Sequence, residues 1–264
     1  MNIPITWVDA FSEQAFGGNP AAVCLLPGPI GDERMLALAA ELGISETAYV
    51  APSEEPAVFA LRWFTPVTEV ELCGHATLAA AHALREWGTV DGTVPLVFRT
   101  RSGPLQARFC EGLIELDFPA DAVTPGPLPE SLRHQWPGSV VASGRSAQFV
   151  FVAVSSAEVV RAYDPDLSAI SAAGPTLLLT APAEAGSGAD YVLRVFGPNV
   201  GIDEDPATGS AQCVAGPYWA GRLGRSALVA HQLSARGATL HVYPDGARVR
   251  IAGQATTVLT GHLC

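Results

Sequence analysis

Positive charge is scarce in this sequence, and the shortage argues against a nucleic-acid partner. The 264 residues include 15 lysine plus arginine against 26 aspartate plus glutamate, a formal net charge of −11. Proteins that bind a phosphate backbone need a basic surface, and the sequence has no basic stripe. An acidic protein can still hold a local positive site, so the charge does not restrict the substrate.

Long hydrophobic runs and paired cysteines are also missing. No apolar run approaches the roughly 20 residues that a membrane helix needs, and no signal peptide precedes the first strand-like segment. The five cysteines are odd in number and have no C-x-x-C spacing, which favours reduced thiols over a disulfide framework or a zinc knuckle. We therefore expect a cytoplasmic protein with no membrane partner.

The residues that are present predict a compact protein built from short elements. The composition is 48% hydrophobic, with 26 glycines and 21 prolines that divide the chain into short strand-like segments. One long alanine-rich helix is predicted from Gly74 to about Trp87, and Asp32 is expected to cap a shorter helix that ends at Gly43. The proline-rich residues 120–130 are the predicted linker between two domains.

Three blocks recur in the same order in the two halves of the chain, which indicates a duplication. The pairs are a strand closing on AP (Ala51-Pro52 and Ala181-Pro182), LRWFTP with LRVFGP (61–66 and 193–198), and CGHATLAAA with TGSAQCVAG (73–81 and 208–216). Two similar halves are therefore expected, each a curved sheet around a helix rich in small residues. The N-termini of both helices would meet at a cleft between the halves and offer a seat for a carboxylate or phosphate.

The duplication allows matched positions of the two halves to be compared. Where the two halves differ, the shared fold does not require the residue. Glu46 aligns with Thr176, His75 with Ser210 and Cys73 with Thr208, so each half brings different chemistry to matched positions. Asp205, just before the second helix, is expected to face the same cleft as His75.

Cys73 has several interpretations from sequence alone. A thiol at a helix N-terminus has a lowered pKa and can act as an acid–base group, and a small buried residue at a tight helix start is equally compatible. A metal site is not expected, since Cys73 and His75 have no further ligands at useful spacing. A Cys–His hydrolase is disfavoured, because an i, i+2 pair does not obviously bring a base to the thiol.

Four segments together resemble the PhzF-like phenazine biosynthesis family, relatives of diaminopimelate epimerase. They are FSEQAFGGNPAAV (11–23), ISETAYV (44–50), RWFTPVTEVELCGHATLAAAH (62–82) and DEDPATGSA (203–211). The resemblance implies an α+β fold of two pseudo-symmetric domains, each a barrel-like mixed β-sheet wrapped around a central α-helix. The expected domains are residues 1–118 and 119–264, with a tail from about 257 that returns to the first.

The resemblance also implies site residues and a reaction class. It places the catalytic glutamate at Glu46, with support from His75 and Asp205. Substrate contacts are expected from the residues Asn19, Cys73, Gly74, Gly209 and Ser210. The implied activity is a cofactor-independent, metal-free proton shift on a small carboxylate-bearing substrate held between the domains, in a cytoplasmic homodimer with a role in biosynthesis.

The cysteines divide the two branches of this superfamily. Racemases of the epimerase type use one thiol from each half, whereas this sequence has Thr208 where the second thiol would lie. A single-sided proton shift by Glu46, whose pKa we expect burial to raise, is therefore the favoured reading. Two alternatives stay open: an epimerase or racemase that pairs Cys73 with a non-thiol partner, and a non-catalytic relative that binds a small molecule.

Overall fold

The computed structural model describes residues 2–264, which divide into two compact units. Unit 1 comprises the chain up to Asp117 together with Ala252–Cys264, and unit 2 comprises Phe118–Ile251. Among the described residues, none of the helices combines the length and apolar character needed to span a bilayer.

Unit 1 is a mixed sheet associated with one buried helix. Its strands are β1 (Ile3–Ala10), β2 (Asn19–Leu25), β3 (Glu46–Pro52), β4 (Val58–Phe64), β5 (Glu69–Val70), β6 (Leu96–Thr100), β7 (Gly103–Cys110), β8 (Leu113–Pro119, which continues into unit 2) and, at the C-terminus, β18 (Ala255–Leu263). The helices are α1 (Asp32–Leu42) and α2 (Gly74–Glu86). Strand β1 lies between β18 and β2 in antiparallel pairing, whereas β2 runs parallel to β3 and β4 parallel to β6.

Helix α2 is the centre of unit 1. Its sequence is dominated by alanine, and nine of its 13 residues are buried, from His75 to Ala81 together with Ala83 and Leu84. The helix contacts β1, β2, β3, β7 and β18, so strands surround it on several sides. Small side chains allow this close approach of helix and strands.

Unit 2 repeats the arrangement with its own strands and central helix. Its strands are β9 (Thr124–Pro125), β10 (Val140–Arg145), β11 (Phe149–Val154), β12 (Thr176–Pro182), β13 (Tyr191–Gly197), β14 (Ile202–Asp205), β15 (Leu228–Gln232), β16 (Ala238–Asp245) and β17 (Arg248–Gly253, which continues into unit 1). The helices are α3 (Ala157–Ala162), α4 (Leu167–Ala173) and α5 (Gly209–Leu223).

The two units share strand order and strand direction. In unit 1, β2 and β3 are parallel, β3 and β4 antiparallel, and β4 and β6 parallel. In unit 2, β11 and β12 are parallel, β12 and β13 antiparallel, and β13 and β15 parallel. Glu46 begins β3 and Thr176 begins β12, as the sequence repeat predicts. The predicted fold class, two pseudo-symmetric mixed sheets each with a central helix, is confirmed.

Two local expectations are wrong. Asp32 does not cap α1, because Gly31 occupies the N-cap and the Asp32 carboxylate instead accepts a hydrogen bond from Arg62 at 2.7 Å. The proline-rich residues 120–130 contribute β9, which pairs with β10, so this stretch belongs to unit 2 rather than acting as a free linker. Proline is compatible with such a short edge strand.

Candidate active site

Glu46 is placed by the pairing of the two central parallel strands of unit 1. It is the first residue of β3 and lies opposite Ala21 of β2. Its side chain is buried, with a relative exposure of 8% for the residue. A buried carboxylate needs a partner, and its partner comes from α2.

Cys73 and His75 are placed by the start of α2. Cys73 is the N-cap residue of α2 and has an extended backbone conformation. Its side chain makes no capping hydrogen bond to the helix. Thr77 fixes this turn, because both its backbone N–H and its hydroxyl donate to the Cys73 carbonyl, at 3.1 and 2.6 Å. The position of His75 in this first turn is therefore fixed, and its side chain is buried.

The fold brings these three side chains into one cluster. His75 Nε2 lies 3.0 Å from Glu46 Oε2, and Cys73 Sγ lies 3.5 Å from His75 Nδ1. One ligand-type atom from each of the three residues lies within 4.8 Å of the others. The sequence interpretation found no third donor beside Cys73 and His75, and the fold supplies it as Glu46.

The contact between His75 and Glu46 is an ion pair of poor hydrogen-bond geometry. Although the two atoms are 3.0 Å apart, Oε2 is a buried oxygen that accepts no hydrogen bond. The Nε2 atom also lies 3.4 Å from the hydroxyl oxygen of Ser45. Glu46 therefore keeps a buried oxygen with an acceptor site that no protein donor fills.

The ionisation of this pair favours opposite charges. Burial raises the pKa of Glu46, but the positive charge and close contact of His75, together with the neighbouring Ser45 side chain, outweigh it, so the pKa lies below its usual value. Burial lowers the pKa of His75, yet the negative charges of Cys73 and Glu46 raise it well above the ordinary value. The expectation that burial would raise the Glu46 pKa is wrong, because it omitted the neighbouring imidazolium.

The environment of the Cys73 thiol raises its pKa. Burial is the main cause that raises its pKa, and the Glu46 carboxylate adds to it, against smaller opposite effects of His75 and the Ala76 N–H. The lowered pKa expected at a helix N-terminus is therefore wrong, since desolvation of the thiolate outweighs the helix terminus.

Ser45 is a site residue that the sequence interpretation missed. Its hydroxyl donates to the Pro20 carbonyl at 3.0 Å and lies 3.3 Å from the Asn19 side-chain oxygen. Asn19 is fully buried as the first residue of β2. The signal for Ser45 was its position directly before Glu46 in ISETAYV.

Unit 2 holds the second group of predicted site residues. Asp205 ends β14, and its carboxylate accepts a hydrogen bond from the Thr208 hydroxyl at 2.5 Å. Thr208 is the N-cap of α5, matching Cys73 at the N-cap of α2. Gly209 and Ser210 follow as the first two residues of α5, Gly209 buried and Ser210 partly exposed. That these residues and Glu46 face one ligand stays a prediction.

Gln232 organises the turn before α5, and sequence reasoning did not identify it. Its side-chain amide donates to the Asp205 carbonyl at 2.6 Å and to the Thr208 hydroxyl at 3.1 Å. Its side-chain oxygen accepts the Thr208 N–H at 2.8 Å. The residue is 1% exposed, so these bonds are shielded from water. No motif marks this glutamine, which lies 24 residues after Thr208.

A matched arginine–glutamate pair precedes each helix start. Arg62 of β4 binds Glu69 with two hydrogen bonds of 2.7 and 2.6 Å, and Arg194 of β13 binds Glu204 with bonds of 2.7 and 2.9 Å. These bidentate pairs join the strand of each LR block to the short strand that leads to α2 or α5. The repeat in the sequence thus extends to side-chain contacts.

Comparisons with known proteins agree with the geometry. A family model described as phenazine biosynthesis-like protein matches residues 8–261. An uncharacterized isomerase of Halalkalibacterium halodurans is 40% identical over 268 residues, which cover 100% of this chain and 99% of that protein.

Solved structures show the same relationship. The crystal structure of a PhzF-family phenazine biosynthesis protein of Enterococcus faecalis has a TM-score of 0.93 and 35% identity, with 100% of both chains covered. A hydroxyproline epimerase of Agrobacterium vitis shares the fold, at a TM-score of 0.61 and 12% identity over 99% of this chain and 92% of that one. The chain is therefore a member of the phenazine biosynthesis-like family and an enzyme of the isomerase class.

Proposed function

We propose that this chain shifts a proton within a small carboxylate-bearing substrate, with Glu46 as general base and then general acid. The observation that carries the proposal is the buried Glu46 Oε2, which lies 3.0 Å from His75 Nε2 and accepts no hydrogen bond. A carboxylate that is ionised, shielded from water and without a donor on one oxygen can accept a proton from carbon.

The helix starts support binding of the substrate carboxylate. Neither α2 nor α5 has a side-chain cap hydrogen bond at its N-terminus, and neither has an acidic residue in its first turn. Helix termini of this kind keep backbone N–H groups and partial positive charge for an anion. Gly74 at the start of α2 and Gly209 with Ser210 at the start of α5 are the proposed contacts, with Asp205 and Asn19 as supporting residues.

The reaction follows from the charges of the pair. Glu46 removes a proton from the carbon next to an unsaturated bond, and the electron pair moves into the conjugated system that the carboxylate terminates. The same carboxyl then returns the proton to another carbon on the same face, so no proton is gained or lost. The lowered pKa of Glu46 keeps this carboxylate ionised for the first step, and the imidazolium of His75 stabilises the ionised carboxylate. No cofactor enters these steps.

An epimerase that uses Cys73 is the second candidate. The position of Cys73 Sγ favours it, because the thiol lies 3.5 Å from His75 Nδ1 and in the same cluster as the proposed base Glu46. The raised pKa of Cys73 counts against a thiolate base. Four points stay predictions from the family resemblance: a cytoplasmic location, a homodimer, a biosynthetic role and a small molecule as the substrate.

Solvent-deuterium exchange tests the proposal. The wild-type protein is incubated in D₂O with a panel of small unsaturated carboxylic acids, and the acid that gains deuterium is identified by mass spectrometry. We expect Glu46→Gln to fold and to stop this exchange, whereas Glu71→Gln, an exposed glutamate two residues before Cys73, should retain it. Equal exchange by wild type and Glu46→Gln would place the base elsewhere.

A further inference from the structure

We infer that Glu46, Cys73 and His75 together form an inhibitory binding site for a thiophilic divalent cation of the Zn²⁺ type. Cation binding stands on the geometry alone, whereas the inhibition rests on the proposed function of Glu46. The three residues supply a carboxylate oxygen, a thiolate sulfur and an imidazole nitrogen, which are the donor types that Zn²⁺ selects in proteins.

The distances fit a tetrahedral ion. Zinc bond lengths imply separations of roughly 3.4 Å between nitrogen and oxygen ligands and roughly 3.6 Å between nitrogen and sulfur ligands. The His75 Nε2 atom lies 3.0 Å from Glu46 Oε2 and 3.8 Å from Cys73 Sγ. The three donor atoms lie within 4.8 Å of one another, so side-chain shifts of about 1 Å would bring them all to bonding distance of one ion.

Burial and charge give a second argument. The Glu46 Oε2 atom is a buried acceptor without a hydrogen bond, and a cation would supply the missing partner. Zinc binds the thiolate and the neutral imidazole, so any proton on these groups leaves to solvent as the Zn–S, Zn–N and Zn–O bonds form. The ion with one thiolate, one carboxylate and a neutral imidazole has no net charge, which suits a buried site.

Three protein ligands leave a fourth position for water or for a substrate carboxylate. Coordination nevertheless commits the Glu46 oxygen that the proposed reaction needs as its proton acceptor. Bound zinc would therefore block proton abstraction, and a substrate at the fourth position would not be turned over.

Cobalt spectroscopy tests the site without a known substrate. Co²⁺ chloride is titrated into the reduced protein, and we expect one ion per chain with a thiolate-to-cobalt charge-transfer absorption that Zn²⁺ removes. Cys73→Ser should lose this absorption, and Glu46→Gln should weaken binding by at least about 10-fold. Absence of the absorption in wild type, or its persistence in Cys73→Ser, would overturn the inference.

Matched controls come from the same unit. Cys110 is an exposed cysteine, and His82 lies 3.4 Å from Glu86 as a second histidine–carboxylate pair without a thiol. Cys110→Ser and His82→Gln should both bind Co²⁺ as wild type does. Loss of the charge-transfer signal in Cys110→Ser would assign it to an adventitious surface thiol.

A wild-type measurement keeps the inference testable if a variant fails to fold. X-ray absorption at the zinc edge of the Zn²⁺-loaded protein should show one sulfur at about 2.3 Å and nitrogen or oxygen at the remaining positions. A shell with no sulfur, or with two, would contradict the site. If zinc binds but deuterium exchange continues, the metal site is retained and Glu46 is rejected as the base. If the protein exchanges deuterium but does not bind zinc, the metal site is rejected and the proposal for Glu46 stands.

Discussion

Gly216 tests whether close packing of the central helix of unit 2 demands a residue without a side chain. A Cβ at Gly216 would lie 2.7 Å from Val242 Cγ1 and 3.4 Å from Pro244 Cγ, both on β16. Val242 is fully buried, so it has little room to move away. Gly216→Ala therefore forces a contact that the helix and sheet must absorb together.

The magnitude follows from two opposing effects. Replacing glycine by alanine inside a helix stabilises by up to about 1 kcal/mol, because the unfolded chain loses conformational freedom. Overpacking a full core costs about 1–3 kcal/mol. Gly216→Ala should therefore leave stability unchanged or lower it by up to about 2 kcal/mol.

Gly221 provides the matched control in the same helix. A Cβ at this position meets no atom within 4 Å, so Gly221→Ala should keep the helix gain without the packing cost. Urea unfolding should therefore separate the two variants by about 1–3 kcal/mol, with Gly216→Ala the less stable. Equal stabilities, or a Gly216→Ala protein more stable than Gly221→Ala, would refute the packing argument.

Two further predictions concern the two halves of the site. Gln232→Leu should destabilise the protein by about 1–3 kcal/mol, measured by urea unfolding, because it removes the hydrogen-bond acceptor of the buried Thr208 N–H. A cost below about 0.5 kcal/mol would contradict this role. Glu46→Gln should lower the pKa of His75 in NMR titrations, and an unchanged pKa would rule out the ion pair. The raised His75 pKa stabilises the fold below pH 6.5 and the effect fades as pH rises, whereas the lowered Glu46 pKa stabilises it above pH 4.5 and the effect fades as pH falls. The stability advantage of wild type over Glu46→Gln should therefore be largest between these pH values.

The fold and the residues of the candidate site could be predicted from sequence because the chain repeats itself. The LR blocks and the two helix starts recur in order, and the structure places them at equivalent positions in units with the same strand directions. Family motifs then identified Glu46 and His75, which the fold brings to 3.0 Å.

The ionisation states could not be obtained in this way. The pKa of a buried group depends on which charges lie within a few ångströms, and only the folded chain brings residues 46, 73 and 75 together. From the sequence, only burial was considered for Glu46 and only the helix terminus for Cys73. The predicted direction of the pKa shift was therefore wrong for both residues. Gln232 was missed for a similar reason, since its three hydrogen bonds join residues far apart in the chain.

Deuterium exchange in two variants compared directly is the sharpest test of the central claim that Glu46 is the base. With a carboxylic acid that wild type exchanges in D₂O, we predict that Glu46→Gln loses at least about 100-fold in exchange rate, while Cys73→Ala stays within about 10-fold of wild type. Exchange retained by Glu46→Gln and abolished in Cys73→Ala would contradict the account and assign the proton transfer to the thiol.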